Sequence, residues 1–387
     1  MAQQANTAKT VLFLDHSQAL GGAEYSLLLL LQHLDRTRWQ PQLACPAGAL
    51  ADAARELGVP WHSVSLPRLR RSPRAAWDLF QGAADVARIA QQIGAKLVVA
   101  NTVRATFYGA LASHLGQRPF VWYMRDFWLS EGQPRYPQLD TFLKRAICRR
   151  ATAVIANSAA TAQHLPCTKV TIVHNGIDLN RFPKDTEGTP FRQIHNIPPN
   201  ASLVGTMGRL RPWKGQHHFI EMAAILAANQ PETHFVIVGG QPFGEAGDYP
   251  RRLHQFATEK GLGDKLHFTG HLDDPAHALA AMDIFVHCGD PEPFGLVNIE
   301  AMAASKPVVA FNHGALPEII KQKEMGLLVP PYDIEALAEA VGQLLQVPQQ
   351  CETLGQAGRK RVADQFAIQQ TAVHVSNILQ KTVEGTQ

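Results

Sequence analysis

Residues 202–215, SLVGTMGRLRPWKG, join a buried strand to a helix through a glycine-rich turn. The apolar run predicts a strand over 202–206, and the amphipathic stretch that follows predicts a helix over 215–229. Working outward, the same strand–turn–helix beat recurs in both directions. Downstream it predicts strands at 234–238, 265–269, 283–287 and 307–311, with helices at 249–260, 275–282 and 294–304. Upstream it predicts strands at 11–15, 40–45, 61–66, 97–100, 119–124, 152–156 and 170–173. Helices at 21–34, 49–57, 75–93, 106–115, 137–150 and 159–165 separate most of them. A strand that is followed by a crossover helix pairs in parallel with its neighbours, and the helices cover both faces of the sheet.

The beat breaks over 181–200 (RFPKDTEGTPFRQIHNIPPN), where four prolines and little periodicity predict a linker. The 387 residues therefore divide into 1–183 and 184–367, two Rossmann-like, doubly wound α/β domains facing each other across a crevice. The tail over 333–346 and 350–382 reads as helices. A content of 45% apolar and 18% charged residues is that of an ordinary globular chain, which excludes a coiled coil, a fibrous repeat and a disordered tail. No apolar run approaches the ~20 residues of a spanning helix. The start of the chain, MAQQANTAKT, lacks the form of a secretory signal. The five cysteines, at 45, 148, 167, 288 and 351, show no C-x-x-C spacing. Reduced thiols in a cytoplasmic chain are expected.

A net charge of +3 conceals two unlike halves. Residues 1–183 hold 20 Lys and Arg against 11 Asp and Glu, a net of +9, and the remainder holds 16 against 22, a net of −6. Arg68, Arg70, Arg71 and Arg74 cluster beside Pro67 and Pro73. Such a cluster suits anionic lipid or an anionic substrate, at ~1 kcal/mol per basic group near the surface, and it also suits a plain solvated loop. It has no interleaved aromatics, so nucleic acid is not an expected partner.

Two segments carry chemistry. In the first, Arg209 and Lys214 stand five residues apart in a turn that opens a helix. Two cations at the positive, N–H-bearing end of a helix suit a diphosphate. The glycine spacing fits neither the dinucleotide fingerprint nor the P-loop, and a strand-to-helix turn with surface cations would read the same way. The second is PEPFGLVNIEAMA, 291–303, with Glu292 and Glu300 eight positions apart around Gly295 and Leu296. If all eight positions were helical, the carboxylates would lie ~12 Å apart along the axis, too far to grip one atom. They could hold two parts of one extended ligand, or act as a helix cap and a salt-bridge partner. Glu300 lies among Val297, Ile299 and Met302, where a carboxylate is costly to bury without partners.

With MGRLRPWKG and VIVGG preceding it, this E-x7-E segment resembles the retaining glycosyltransferases of family 4, which have the two-domain GT-B fold. The resemblance extends through Gly21-Gly22-Ala23-Glu24, His174-Asn175-Gly176-Ile177-Asp178, Phe268-Thr269-Gly270-His271-Leu272 and Lys306-Pro307-Val308-Val309-Ala310. It implies that Arg209 and Lys214 neutralise the donor diphosphate, that Glu292 contacts the transferred sugar, and that Glu300 binds the ribose hydroxyls. Gly295 and Leu296 would offer backbone N–H groups, Leu272 would lie beside the base, and Gly22 would admit phosphate or acceptor closely. Many relatives carry a histidine before the aspartate that follows the fifth strand. This chain has Arg125-Asp126, and an arginine cannot act as a neutral base. Arg125, Asp126 and Asn175 are the candidate contacts for acceptor or sugar, and an ion pair within Arg125-Asp126 is the alternative. By the same resemblance, the helix within 368–387 crosses back to the first domain.

The implied activity is metal-independent, retaining transfer of a hexose-type sugar from a nucleotide sugar, UDP being the family default. The acceptor would be a saccharide or a lipid-linked group in cell-envelope polysaccharide or glycolipid synthesis, with peripheral contact to an anionic membrane at the inner face of the plasma membrane. No D-x-D or H-E-x-x-H pattern occurs, so no metal and no cofactor are expected. A sugar-nucleotide epimerase or a non-catalytic nucleotide-sugar binding protein would carry the same binding motifs.

Overall fold

Helical crossovers hold successive strands parallel, and the computed structural model of the chain shows two such sheets. It describes residues 8–69, 73–127, 137–240 and 247–385. The first series is β1 (Lys9–Leu14), α1 (Gly22–His33), β2 (Trp39–Cys45), α2 (Ala49–Glu56), β3 (Trp61–Ser63), α3 (Pro73–Gln92) and β4 (Leu97–Ala100). It continues with α4 (Val103–Leu115), β5 (Phe120–Met124), α5 (Pro137–Arg150), β6 (Ala153–Ala156), α6 (Ala159–Gln163) and β7 (Thr171–Ile172). The second series is α7 (Thr189–Ile194), β8 (Ser202–Met207), α8 (Gln216–Asn229), β9 (Thr233–Val238), α9 (Tyr249–Glu259), β10 (Leu266–Gly270), α10 (Ala276–Ala281) and β11 (Ile284–His287). After it come α11 (Leu296–Ala303), β12 (Val308–Phe311), α12 (Leu316–Ile319), β13 (Gly326–Val329), α13 (Ile334–Leu345), α14 (Pro348–Gln365) and α15 (Ile368–Glu384).

The strand orders are β3-β2-β1-β4-β5-β6-β7 and β10-β9-β8-β11-β12-β13. In each, the first strand of the series lies inside the sheet and pairs in parallel on both sides. Val11 opposes Pro41 and Leu97, and Val204 opposes Phe235 and Ile284. Side chains alternate across a strand, so each sheet feeds two apolar layers. Val11 and Phe13 enter the layer holding Leu27, Leu31 and Trp39. Leu12 and Leu14 enter the layer holding Tyr108, Phe120 and Trp122. In the second sheet Leu203, Val236 and Phe285 face one layer, while Val204, Phe235 and Ile284 face the other.

The chain forms two units, one running to Gly176 and resuming at Ile368, the other spanning Ile177–Ala367. The division falls at 176/177 because Ile177 and Phe182 are buried in the core of the second unit. α15 belongs to the first unit. Val375 and Leu379 are fully buried there, and Trp39 Nε1 donates to Ser376 Oγ at 2.8 Å.

Several expectations need correction. The 181–200 segment is not a bare linker. It contains α7, buries Phe191, and anchors Arg192 to the carbonyls of Ala281 (2.8 Å) and Ala201 (2.7 Å). The third strand ends at Ser63 rather than 66, and β13 joins the second sheet beside β12 without a sequence expectation for it. The cysteines are not all reduced. Cys148, near the end of α5, forms a disulfide with Cys167, 19 residues on, while Cys45, Cys288 and Cys351 are free. Spacing alone did not reveal the pair, because α6 must turn the chain back before the two sulfurs meet.

Closing a loop of this size should stabilise the first unit by about 3 kcal/mol through the unfolded chain. Thiol titration of the denatured, unreduced protein should find three free thiols. The Cys148→Ser/Cys167→Ser variant should unfold at lower denaturant; five thiols and an unchanged midpoint would refute the linkage.

Candidate functional site

In each sheet the direction of winding reverses at one point, between β1 and β4 and between β8 and β11. Loops leaving the carboxyl ends of such neighbouring strands part to opposite faces and open a crevice. Most of the candidate residues stand on loops and helix starts at the carboxyl ends of these sheets.

In the second unit, β8 hands over to Gly208 and Arg209. Arg209 is exposed and makes no ion pair among the described residues. A short 3₁₀ turn, Pro212–Lys214, precedes Gly215, the N-cap of α8 at φ 73°. A Cβ at Gly215 would stand 2.0 Å from the Cys288 carbonyl oxygen, so a side chain there would force the loops apart. Asp290 N donates to the Trp213 carbonyl at 2.7 Å, and Cys288 Sγ donates to that of Gly215 at 3.2 Å. Lys214 thereby reaches across to ion-pair with Glu292, while His287 Nε2 lies 3.6 Å from the same carboxylate. Burial by itself would raise the Glu292 carboxyl, but Lys214 and His287 overcome it and hold it far below the usual range.

Glu292 is not helical; its carbonyl accepts from Ala315 N at 3.0 Å. The helix starts later, from Gly295 at φ 85°, with Leu296 as its first residue. Asn298 Nδ2 donates back to the Gly295 carbonyl at 3.1 Å. Glu300 follows on α11, 9% exposed, and no described residue donates a hydrogen bond to its carboxylate. Burial pushes its carboxyl up to about 7, with Arg181 pulling part of the way back. The two glutamates of one segment thus have opposite fates, one ion-paired and ionised, the other buried without a hydrogen-bond partner among the described residues. Leu272, after β10, is half-buried and packs on the core layer that holds Ile299 and Phe294.

In the first unit a polar residue stands directly after each of four strands: Asp15, Asn101, Arg125 and Asn157. Arg125 is buried with its guanidinium carbon 3.8 Å from the Tyr123 ring centroid. Its Nε donates to Asn101 Oδ1 at 2.6 Å and its Nη1 to Asn175 Oδ1 at 2.5 Å. Asn101 Nδ2 donates in turn to Asp15 Oδ2 at 2.7 Å. Asp15 is wholly buried, which raises its carboxyl above the ordinary value despite these hydrogen bonds. Arg125 does not pair with Asp126, whose side chain is exposed and accepts from Phe127 N at 2.7 Å. The ion-pair alternative for Arg125-Asp126 is therefore corrected. Gly22 is exposed at the start of α1, behind Gly21, whose N–H goes to Glu24 Oε2 at 2.9 Å.

Sequence reasoning missed Asp15, Asn101, Asn157, His287 and Asn298. A signal existed for three of them. VLFLD, LVVAN and AVIAN each end an apolar strand on a polar residue, the first position at which a side chain can leave the buried sheet.

The model of glycosyl transferases group 1 matches residues 189–361, and that of Glycosyltransferase Family 4 matches residues 20–181. The lipopolysaccharide core biosynthesis mannosyltransferase LpsB of Rhizobium meliloti (strain 1021) is 31% identical over 251 residues, covering 64% of this chain and 70% of that one. The chain is a family 4 glycosyltransferase. A D-inositol 3-phosphate glycosyltransferase of Corynebacterium urealyticum is 29% identical over 254 residues, and there the match spans 58% of this glycosyltransferase and only 60% of the relative. Among solved structures, Anabaena Alr3699/HepE in complex with UDP is similar with a TM-score of 0.82 at 28% identity, over 96% of this chain and 100% of that one. The two-sheet GT-B fold of this glycosyltransferase is thereby established.

Glu300 gives the free enzyme a pH signature. The folded protein keeps this proton up to about pH 7, whereas the unfolded chain releases it near the ordinary carboxyl value. Stability should therefore fall as pH rises from about 4.5 through 7, by about 3 kcal/mol in all. Glu300→Gln cannot ionise and should lose that slope. Denaturant melts of both proteins at pH 5 and pH 8.5 check it, and parallel pH profiles would refute it.

Proposed function

We propose that this glycosyltransferase moves a hexose-type sugar from a nucleotide sugar, UDP being the carrier, to a saccharide or lipid-linked acceptor of cell-envelope polysaccharide or glycolipid assembly. The observation that carries the donor reading is Glu300, a buried carboxyl group to which no described residue donates a hydrogen bond, on the helix that starts at Gly295. The two hydroxyls of a ribose would supply the missing donors. The complex of the Anabaena relative with UDP supports the choice of base.

In this reading, Arg209 and Lys214 take the charge of the departing diphosphate, which needs fixed cations as that charge develops. Diphosphate entry would draw Lys214 from Glu292. The Glu292 carboxylate, kept ionised by its surroundings, would then accept from hydroxyls of the transferred sugar. The N–H groups of Gly295 and Leu296 would meet the phosphate or sugar at the positive end of α11, and Leu272 would lie beside the base. Retention follows a front-face route. The acceptor oxygen bonds to the anomeric carbon on the face from which the phosphate oxygen leaves, and the acceptor proton passes to that oxygen. In the first unit, Gly22, Arg125, Asp126 and Asn175 would meet the acceptor or sugar. Arg125 acts there as a permanent donor rather than as a base.

A thermal-shift panel of UDP, GDP, ADP and their sugar conjugates tests the donor reading. A ligand at about 100 times its Kd should stabilise the protein by about 2.7 kcal/mol. The uridine nucleotides should shift wild type and leave Glu300→Ala unmoved; silence across the panel from folded protein would refute the site. Arg209→Ala and Lys214→Ala should each lower kcat by about 100-fold or more. EDTA should leave the rate unchanged, and the product's anomeric NMR signal should show the donor's configuration.

A further inference from the structure

We propose that the second unit carries a site for a small phosphate-bearing ligand at the amino-terminal edge of its sheet, formed by Lys184, Ser305, Lys306 and Arg359. The donor reading concerns the opposite, carboxyl-terminal edge, so the two stand or fall independently.

Those four residues line a pocket of about 190 Å³ together with Phe182 and Ala280. It lies where α10 and α11 return the chain to the sheet. Ala280 is in the last turn of α10, and Ser305 and Lys306 link α11 to β12. Pockets for drug-sized ligands measure about 300–1,000 Å³. This one therefore suits a phosphate group on a small body rather than a whole nucleotide sugar.

Lys306 Nζ donates to the Ala280 carbonyl at 2.8 Å. Arg359 Nη1 donates to the carbonyls of Phe182, at 2.8 Å, and Ala303. Holding the last carbonyls of a helix is an ordinary task for a cation, but here it uses only part of each group. An ammonium has three N–H donors and a guanidinium five, and no described residue accepts from Arg359 Nε or Nη2. No carboxylate lines the pocket. Asp283, whose charge reaches Lys306, is ion-paired with Arg192 at 3.2 Å. Burial accordingly pulls the Lys306 ammonium below its ordinary value. Lys184 is exposed and makes no ion pair among the described residues. These cations belong to the acidic half of the chain, at −6, so they are a local concentration rather than part of a general surplus. Of the cluster in the basic half, Arg70 and Arg71 lie outside the described residues.

Ser305 points to a ligand independently. It stands at φ 60° just past α11. Its N–H goes to the Met302 carbonyl and that of Lys306 to the Ala301 carbonyl, both at 3.0 Å. Glycine is the usual residue in this helix-ending turn, because a side chain strains the left-handed backbone. α14 holds the turn in place, for a Cβ on Gly355 would stand 2.0 Å from the Ser305 carbonyl oxygen. The Ser305 hydroxyl has no hydrogen-bond partner among the described residues. Local strain of this kind gathers at ligand sites, and here it brings a hydroxyl donor to a pocket with three cations. A phosphate offers the charge that the cations lack and oxygens to accept from the guanidinium and the hydroxyl.

Calorimetric titration of the full chain with inorganic phosphate and with glucose 6-phosphate, in chloride buffer, tests the site. Wild type should bind, and high salt should weaken the binding. Tighter binding of the ester would mark a sugar phosphate as the ligand, and equal binding would mark free phosphate. Lys184→Gln and Ser305→Gly should each bind about tenfold more weakly, the loss of one hydrogen bond to a charged group. Ser305→Gly relieves the left-handed backbone and should melt no lower than wild type, so unfolding would not explain its weaker binding. Arg209→Gln, at the donor edge, should bind like wild type. Folded wild type that binds neither compound would overturn the proposal. So would binding that Arg209→Gln removes and that Lys184→Gln and Ser305→Gly retain.

Discussion

A strand buried on both faces can carry no polar side chain until it leaves the sheet, and in a parallel sheet all strands leave at the same edge. That constraint places the chemistry of this protein. Asp15, Asn101, Arg125 and Asn157 each directly follow the buried end of a strand, and they gather at one edge because β1, β4, β5 and β6 are neighbours in the sheet. In the second unit the loops after β8 and β11 come together for the same reason. Gly215 decides how close they come, since any side chain there would collide with the Cys288 carbonyl.

Closeness then sets the electrostatics. Lys214 can neutralise Glu292 only because its turn is pressed against the loop beyond β11. Eight positions later Glu300 is buried in a helix flanked by apolar residues, where the charge of Arg181 offsets only part of the burial. The two carboxylates are alike in type, and their different neighbours push them in opposite directions. One is a ready anion in the free protein, and the other gives up its proton only near neutrality. A ligand that brings hydroxyl donors and a diphosphate would reverse both situations, giving Glu300 its partners and drawing Lys214 away.

The first unit is arranged differently. Arg125 makes its hydrogen bonds to the amide oxygens of Asn101 and Asn175, and its charge also acts on the carboxyl groups of Asp15 and Glu24.

Much of this was legible along the chain, where local physics suffices. Period-two and period-3.6 patterning placed the strand at 97–100 and the helix at 137–150 to the residue, and the E-x7-E segment and MGRLRPWKG were singled out before folding brought Lys214 of one to Glu292 of the other. The rest depended on residues that meet only after folding. Cys148 finds Cys167 because α6 turns the chain. The proline-rich 181–200 segment joins the second unit because Phe191 finds a core and Arg192 finds the carbonyls of Ala281 and Ala201. Arg125 turns inward rather than toward the adjacent Asp126 because Asn101 and Asn175, distant in sequence, offer it buried acceptors. Sequence by itself determined which segments become strands and helices and which residue types end them, since periodicity and the cost of burying polar groups act locally. The tertiary structure alone decided which charges are paired, since pairing depends on distances that neighbouring residues do not set.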